Sequence, residues 1–223
     1  MGTSIGAWDR TARRLETIHA TALWLVLPEP AGSPEPSRPP EPAGGASGEA
    51  GAGVLLRGPS GAGKSDLALR MIATGTARLV ADDRVVLWPG KAGHGPRLAC
   101  PEGLAGLIEV RGLGIVTLES DEWVTGALAA DPGEGPSPHC PPLLLVVDLV
   151  ARSEVPRLPA PDPAHVAGAA VPRIRLHAFD LSTPTKILRA VSIARARAEG
   201  TAADAGRDGL GPPARRSSKA WVS

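Results

Sequence analysis

Gly58-Pro59-Ser60-Gly61-Ala62-Gly63-Lys64-Ser65 fills every fixed position of the pattern G-x-x-x-x-G-K-[ST]. No other feature of the chain constrains its fold as strongly. The loop works only where a strand runs into it and a helix leaves it. Its glycines then turn successive backbone N–H groups inward around phosphate oxygens, and the positive end of the helix faces the same point. Both flanks are present. Residues 54–57, Val-Leu-Leu-Arg, read as a short buried strand, and 66–74 carry Leu67, Leu69, Met71 and Ile72 at helical spacing before Gly75 stops the helix. An α/β fold follows, with Gly58, Pro59, Ser60, Gly61, Ala62, Gly63, Lys64 and Ser65 as the nucleotide-binding residues. Lys64 brings a mobile charge to the β- and γ-phosphates, and the Ser65 hydroxyl is a Mg²⁺ ligand, so ATP and Mg²⁺ are the expected cofactors.

A phosphate loop binds a nucleotide without saying what attacks it. Phosphoryl transfer also needs metal ligands and a group that takes the nucleophile's proton. The acidic pair Asp82-Asp83 stands between two strand-like pieces, 78–81 and 84–88. A turn or a solvated sheet edge is the plain alternative for such a pair. Behind a phosphate loop, a following strand commonly delivers the metal-site aspartate.

The remaining chain reads as sheet with few helices. Strands are expected at 17–27, 97–100, 106–110, 115–118, 143–149 and 173–177, and a last helix from the first-turn proline Pro184 to about 198. Three segments follow: an N-terminal extension over 1–16, a catalytic domain over 17–198, and a disordered tail over 199–223. Inside the domain, 28–53 gathers Pro, Gly, Ala and Glu with almost no large apolar residue, and is expected to be a disordered insertion.

The formal net charge of +1 gives no global attraction to nucleic acid or membrane. Asp148 interrupts the longest apolar run, 143–150, which is far too short to span a bilayer. Residues 1–10 include Trp8, Asp9 and Arg10 and suggest no secretory signal. Cys100 and Cys140 are the only cysteines, too few for a disulfide scaffold or a four-cysteine zinc site. His94, His139, His165 and His177 form no ligand spacing with them. A reducing, cytoplasmic location is expected.

Leu79-Val80-Ala81-Asp82-Asp83-Arg84-Val85 and Leu107-Ile108-Glu109-Val110-Arg111-Gly112-Leu113-Gly114-Ile115 resemble the two signature stretches of bacterial HPr kinase/phosphorylase, in its short form consisting of the catalytic domain alone. That enzyme phosphorylates a serine of HPr, the carrier protein of the sugar phosphotransferase system, and can reverse the reaction with inorganic phosphate. Thr17-Ile18-His19-Ala20 resembles the family strand that bears an active-site histidine. Pro156-Arg157-Leu158 is weakly similar to the stretch holding its catalytic arginine, and Val171-Pro172-Arg173-Ile174 to the opening of its late loop. The resemblance implies a P-loop kinase core with a mixed β-sheet, similar to the HPr kinase C-terminal domain and to phosphoenolpyruvate carboxykinase. It implies His19, Lys64, Asp82 and Arg157 as catalytic residues, with Asp82 as the base. Ser65 and Glu109 become the Mg²⁺ ligands, an HPr-type phosphocarrier protein the partner, and a hexamer the assembly. Asp83 supports this shell.

Departures accompany the resemblance. Ala178-Phe179-Asp180-Leu181-Ser182-Thr183 stands where the family has a G-R-N stretch tied to dephosphorylation, so the kinase direction is the better supported one. From the residues alone, Glu109 also reads as a strand-edge charge and Arg111 as its solvated partner. A kinase of the same fold acting on a small molecule or another protein, and an ATP-sensing module that transfers nothing, remain alternatives.

Overall fold

Short apolar runs too brief for helices make the central sheet of the chain. The structure is a computed structural model that describes residues 15–27, 51–90, 95–129 and 135–205. Most of the expected extension over 1–16, most of the expected insertion and the tail beyond 205 lie outside the described residues. Strands β1 (Glu16–His19), β2 (Thr21–Val26) and β3 (Gly51–Arg57) precede helix α1 (Lys64–Ala73). Then come β4 (Ala77–Ala81), β5 (Arg84–Trp88), β6 (Arg97–Ala99), β7 (Leu107–Val110), β8 (Gly114–Thr117) and β9 (Leu143–Leu149). A 3₁₀ turn at Arg152–Glu154, a small hairpin of β10 (Ala164–Val166) and β11 (Ala169–Val171), β12 (Arg173–Leu176) and helix α2 (Thr183–Ala205) complete the order.

The main sheet runs β12-β9-β3-β2-β4. β3, β9 and β12 are parallel, whereas β2 is antiparallel to both β3 and β4. The sheet is therefore mixed, as expected. Alternation along β2 sends Leu23 and Leu25 to the face covered by Leu67, Met71 and Ile72 of α1 and Ile187 and Val191 of α2. Ala22 and Trp24 face the other way, where Val85, Leu87 and Leu98 of a second sheet, ordered β1-β5-β6, and the β10–β11 hairpin close a second core. The molecule is a layered α/β fold with the phosphate loop at the carboxyl end of a central strand.

Several boundaries differ from the sequence reading. Residues 17–27 form two strands in two sheets instead of one: the chain turns at Ala20, whose N–H donates to the Asp83 carbonyl at 3.3 Å. Strand β3 begins at Gly51 and takes in the last residues assigned to the insertion. Gly51 and Gly53 carry no side chain because none fits: a Cβ on Gly53 would stand 2.5 Å from the Pro142 carbonyl oxygen, and one on Gly51 would run into the Trp24 ring. Backbone pairing, invisible to a search for apolar residues, extends the strand. The β10–β11 hairpin, Ala-His-Val paired with Ala-Ala-Val, is too short to give a strand signal in the sequence. Helix α2 runs to Ala205, beyond the expected stop near 198.

The tight approach at Gly53 gives a stability test. Gly53→Ala is expected to lower the unfolding free energy by about 1–3 kcal/mol, the usual cost of overpacking. Urea denaturation should show a lower midpoint at unchanged slope, and an unaltered midpoint would show that β9 can give way there.

Candidate functional site

The phosphate loop opens into a cleft of about 360 Å³, lined among others by Ser60, Gly61, Gly63, Lys64, Ser65, Asp82, Glu109 and Arg111. Gly61 and Gly63 take left-handed backbone conformations, with φ of 79° and 85°, which glycine adopts without penalty. The buried polar residues of the described chain are Thr21, Lys64, Asp82 and Thr183; the first three meet at this cleft. Burying such groups is costly unless they are hydrogen-bonded, and here each is.

Asp82 is the hub. Strands β1 and β5 pair His19 with Arg84, and β2 and β4 pair Ala22 with Ala81. The same register carried across the corner sets Thr21 against Asp82. The Thr21 hydroxyl, fully buried, donates to Asp82 Oδ1 at 2.6 Å. The Ser65 hydroxyl reaches both carboxylate oxygens, at 3.1 and 3.0 Å, and the Glu109 backbone N–H donates to Oδ2 at 3.1 Å. A carboxylate offers about four acceptor positions. Three donors fix its plane and leave capacity for one more proton.

Lys64 is 8% exposed. Its ammonium donates to the carbonyls of Gly58 and Pro59 at 3.0 and 3.2 Å and reaches His19 Nε2 at 3.1 Å. An ammonium has only donors, so Nε2 must accept and the imidazole proton sits on Nδ1. That nitrogen faces the Asp83 carboxylate at 2.9 Å and the Asp83 carbonyl at 3.1 Å. Asp83 itself adopts a left-handed φ of 63°, unusual outside glycine but tolerated by aspartate. Burial pulls the Lys64 pKa below its ordinary value, an effect opposed by the charges of Asp82 and Asp83.

Strand alternation, continued one residue past the end of β7, explains the E-x-R pattern of Glu109 and Arg111. Ile108 and Val110 enter the core while Glu109 and Arg111 face the cleft. Arg111, which the sequence offered as a solvated partner of Glu109, lies within reach of the loop at Gly61. Arg157 is exposed beyond the 3₁₀ turn and is not among the residues lining the cleft; Arg152 of the same connection pairs instead with Asp180. The structure thus gathers His19, Lys64, Ser65, Asp82 and Glu109 and leaves Arg157 apart. Thr21, Arg111 and Phe179 are cleft or hub residues that sequence reasoning missed. Arg111 alone had a signal, its position two residues beyond Glu109, just past the end of a strand.

The donor set fits Mg²⁺. The Ser65 hydroxyl and the carboxylates of Asp82 and Glu109 are hard oxygens at one cleft. The described residues hold no cluster of three or more His, Cys, Asp or Glu suited to a metal cage. A small protein share suits an ion that keeps water and nucleotide phosphates as most of its ligands.

Residues 49–121 match the family model described as HPr Serine kinase C-terminal domain. That segment contains Lys64, Ser65, Asp82, Glu109 and Arg111; His19 and Arg157 fall outside it. HPr kinase/phosphorylase of Bordetella pertussis is 49% identical over 74 residues, covering 31% of this chain and 22% of that protein. The enzyme of the same name from Azoarcus sp. is 49% identical over 70 residues with the same coverage. The matches therefore span about a fifth of these curated relatives' length. A solved structure, that of the Hpr(Ser) kinase/phosphatase from Coxiella burnetii, aligns with a TM-score of 0.58 at 23% identity, covering 87% of this chain and 99% of that one. The fold is shared across that length. The resemblance to HPr kinase/phosphorylase read from the signature stretches holds in family match, relatives and fold.

The lowered Lys64 pKa sets a pH dependence. An unfolded chain holds the lysine proton more tightly than the folded one. Stability should therefore rise with pH between the depressed folded value and the ordinary lysine value of about 10.4. Lys64→Met should remove that contribution. Denaturant titrations from neutral to alkaline pH should give wild type a steeper upward slope than the variant, and parallel slopes would contradict the burial argument.

Proposed function

We propose that this chain is a cytoplasmic serine kinase that moves the γ-phosphoryl group of ATP·Mg²⁺ onto a seryl hydroxyl of an HPr-type phosphocarrier protein. The observation that carries this reading is Asp82, a carboxylate oriented by three donors beside the phosphate-loop lysine and serine. A nucleotide-sensing module would need the loop and nothing of this hub.

In the proposed reaction the seryl oxygen forms a bond to the γ-phosphorus as the bond to the β–γ bridging oxygen breaks and ADP departs. Asp82 takes the seryl proton through its remaining acceptor capacity. Lys64 exchanges the Gly58 and Pro59 carbonyls for phosphate oxygens. Arg111, already facing the cleft, neutralises charge spreading over the γ-phosphoryl oxygens, the main requirement of a loose transition state. Ser65 and Glu109 would hold Mg²⁺, which supplies further charge neutralisation across the phosphates. Resemblance alone assigns Arg157 to this reaction. The reverse use of inorganic phosphate and a hexameric assembly are further parts of the proposal that rest on the relatives.

The test is transfer from labelled ATP·Mg²⁺ to purified HPr by wild type and Asp82→Asn. The variant keeps the shape and loses the proton acceptor. Single-turnover transfer at saturating ATP and HPr should fall by about 10²–10⁴-fold, the usual loss of a positioned acid–base group, while ATP binding persists. Normal transfer once saturated would make Asp82 a binding residue and His19 the next candidate for the base. Wild-type label on no HPr serine would remove the acceptor assignment.

A further inference from the structure

Strand order gives the cleft two unlike ends. The phosphate loop follows β3 in the middle of the sheet, and Asp82 follows β4 at one edge. The turn between β12 and α2 follows the opposite edge strand, and its Phe179 also lines the cleft. Ligands of open α/β sheets lie across the carboxyl ends of the parallel strands, here those of β3, β9 and β12. With the acidic residues gathered around Asp82 at one end, the reacting end of a nucleotide has one place to go. Its nucleoside must then extend toward Phe179.

Phe179 is built for contact on that side. It is the one phenylalanine of a chain without tyrosine and, with His19, one of two aromatic rings in the cleft lining. Its ring rests on the loop: a Cβ added to Gly63 would stand 2.8 Å from Phe179 Cζ and 2.8 Å from Ala178 Cβ. Even so, 53% of the residue is exposed, an apolar surface turned outward beside the phosphate site. The turn that carries it is secured from several directions. Arg70 of α1 donates to the Ala178 carbonyl, and Arg152 pairs with Asp180. The Thr183 hydroxyl donates to the His177 carbonyl at 2.6 Å, and His177 Nδ1 meets the Val150 carbonyl at 3.1 Å. The His177 ring braces Phe179 edge-on, with centroids 5.7 Å apart and planes at 66°. An aromatic ring held this firmly at a cleft edge presents a ready stacking face.

We propose that Phe179 is the base-stacking platform of the nucleotide site, contacting the purine ring of ATP at the end of the cleft opposite Asp82. The assignment rests on the nucleotide reading above and adds the residue that holds the nucleoside. Stacking engages the face of the base, so the platform serves adenine and guanine alike.

Full-length wild type, Phe179→Ala, Phe179→Leu, Phe179→Tyr and Lys64→Ala would be titrated calorimetrically with ATP·Mg²⁺, GTP·Mg²⁺ and magnesium tripolyphosphate. Loss of one stacking partner should weaken both nucleotides about ten- to a hundredfold in Phe179→Ala and leave tripolyphosphate affinity at the wild-type level. Phe179→Tyr should bind as wild type. Phe179→Leu, which keeps apolar cover on Gly63, should remain as weak as the alanine variant. Three outcomes overturn the proposal: unchanged ATP affinity in Phe179→Ala, equal loss of tripolyphosphate, or full rescue by leucine. If Lys64→Ala alone abolishes nucleotide binding, the nucleotide reading stands and the platform falls. If wild type binds neither nucleotide, both fall together.

Discussion

The Asp82 carboxylate is the constraint around which the site is arranged. It lies at a corner where the chain leaves one sheet for another, and its donors come from β2, α1 and β7. Removing the donors would leave a buried anion unpaired, so the positions of Thr21, Ser65 and Glu109 are coupled through one group. In the proposed reaction, a carboxylate held so firmly would meet its reorganisation cost during folding and not at the moment of proton transfer.

A second cluster steadies the other side of the loop. Arg57, immediately before Gly58, donates two hydrogen bonds to Asp148 at 2.8 and 3.1 Å. The parallel register places these two residues side by side. Arg173 of β12 approaches the same carboxylate and pairs also with Asp162. The carboxyl ends of β3 and β9 are thereby tied to each other and to the start of β12. The apolar core beneath fixes the sheet, and these pairs fix its rim.

Local patterns were legible in the sequence and corners were not. The phosphate loop announced itself because its geometry demands glycine, lysine and serine at fixed spacing, and 143–149 because apolar side chains on both faces, broken by Asp148, make a buried parallel strand. The Asp82-Asp83 pair and Glu109 were visible as motifs, and the cleft holds them together. Thr21 was not visible, because its role depends on the residue it faces across a ladder sixty positions away. Asp148 read as an interruption of an apolar run; only the pairing with Arg57 explains its charge. Phe179 gave no signal, since a lone aromatic residue acquires meaning from what it covers. Arg157 was carried by a short, weak likeness, and the fold leaves it outside the cleft.

The most direct measurement of the central claim is single-turnover phosphoryl transfer by Thr21→Val, which keeps the side-chain shape and deletes one donor to Asp82. A hydrogen bond to a charged group contributes about 1.5–3 kcal/mol, equivalent to roughly tenfold or more in rate if it is needed in the transition state. A slower transfer step of that order is expected at unchanged ATP affinity, with the folded state retained. A wild-type rate in Thr21→Val would contradict it, because the orientation of Asp82 would then be irrelevant to the chemistry.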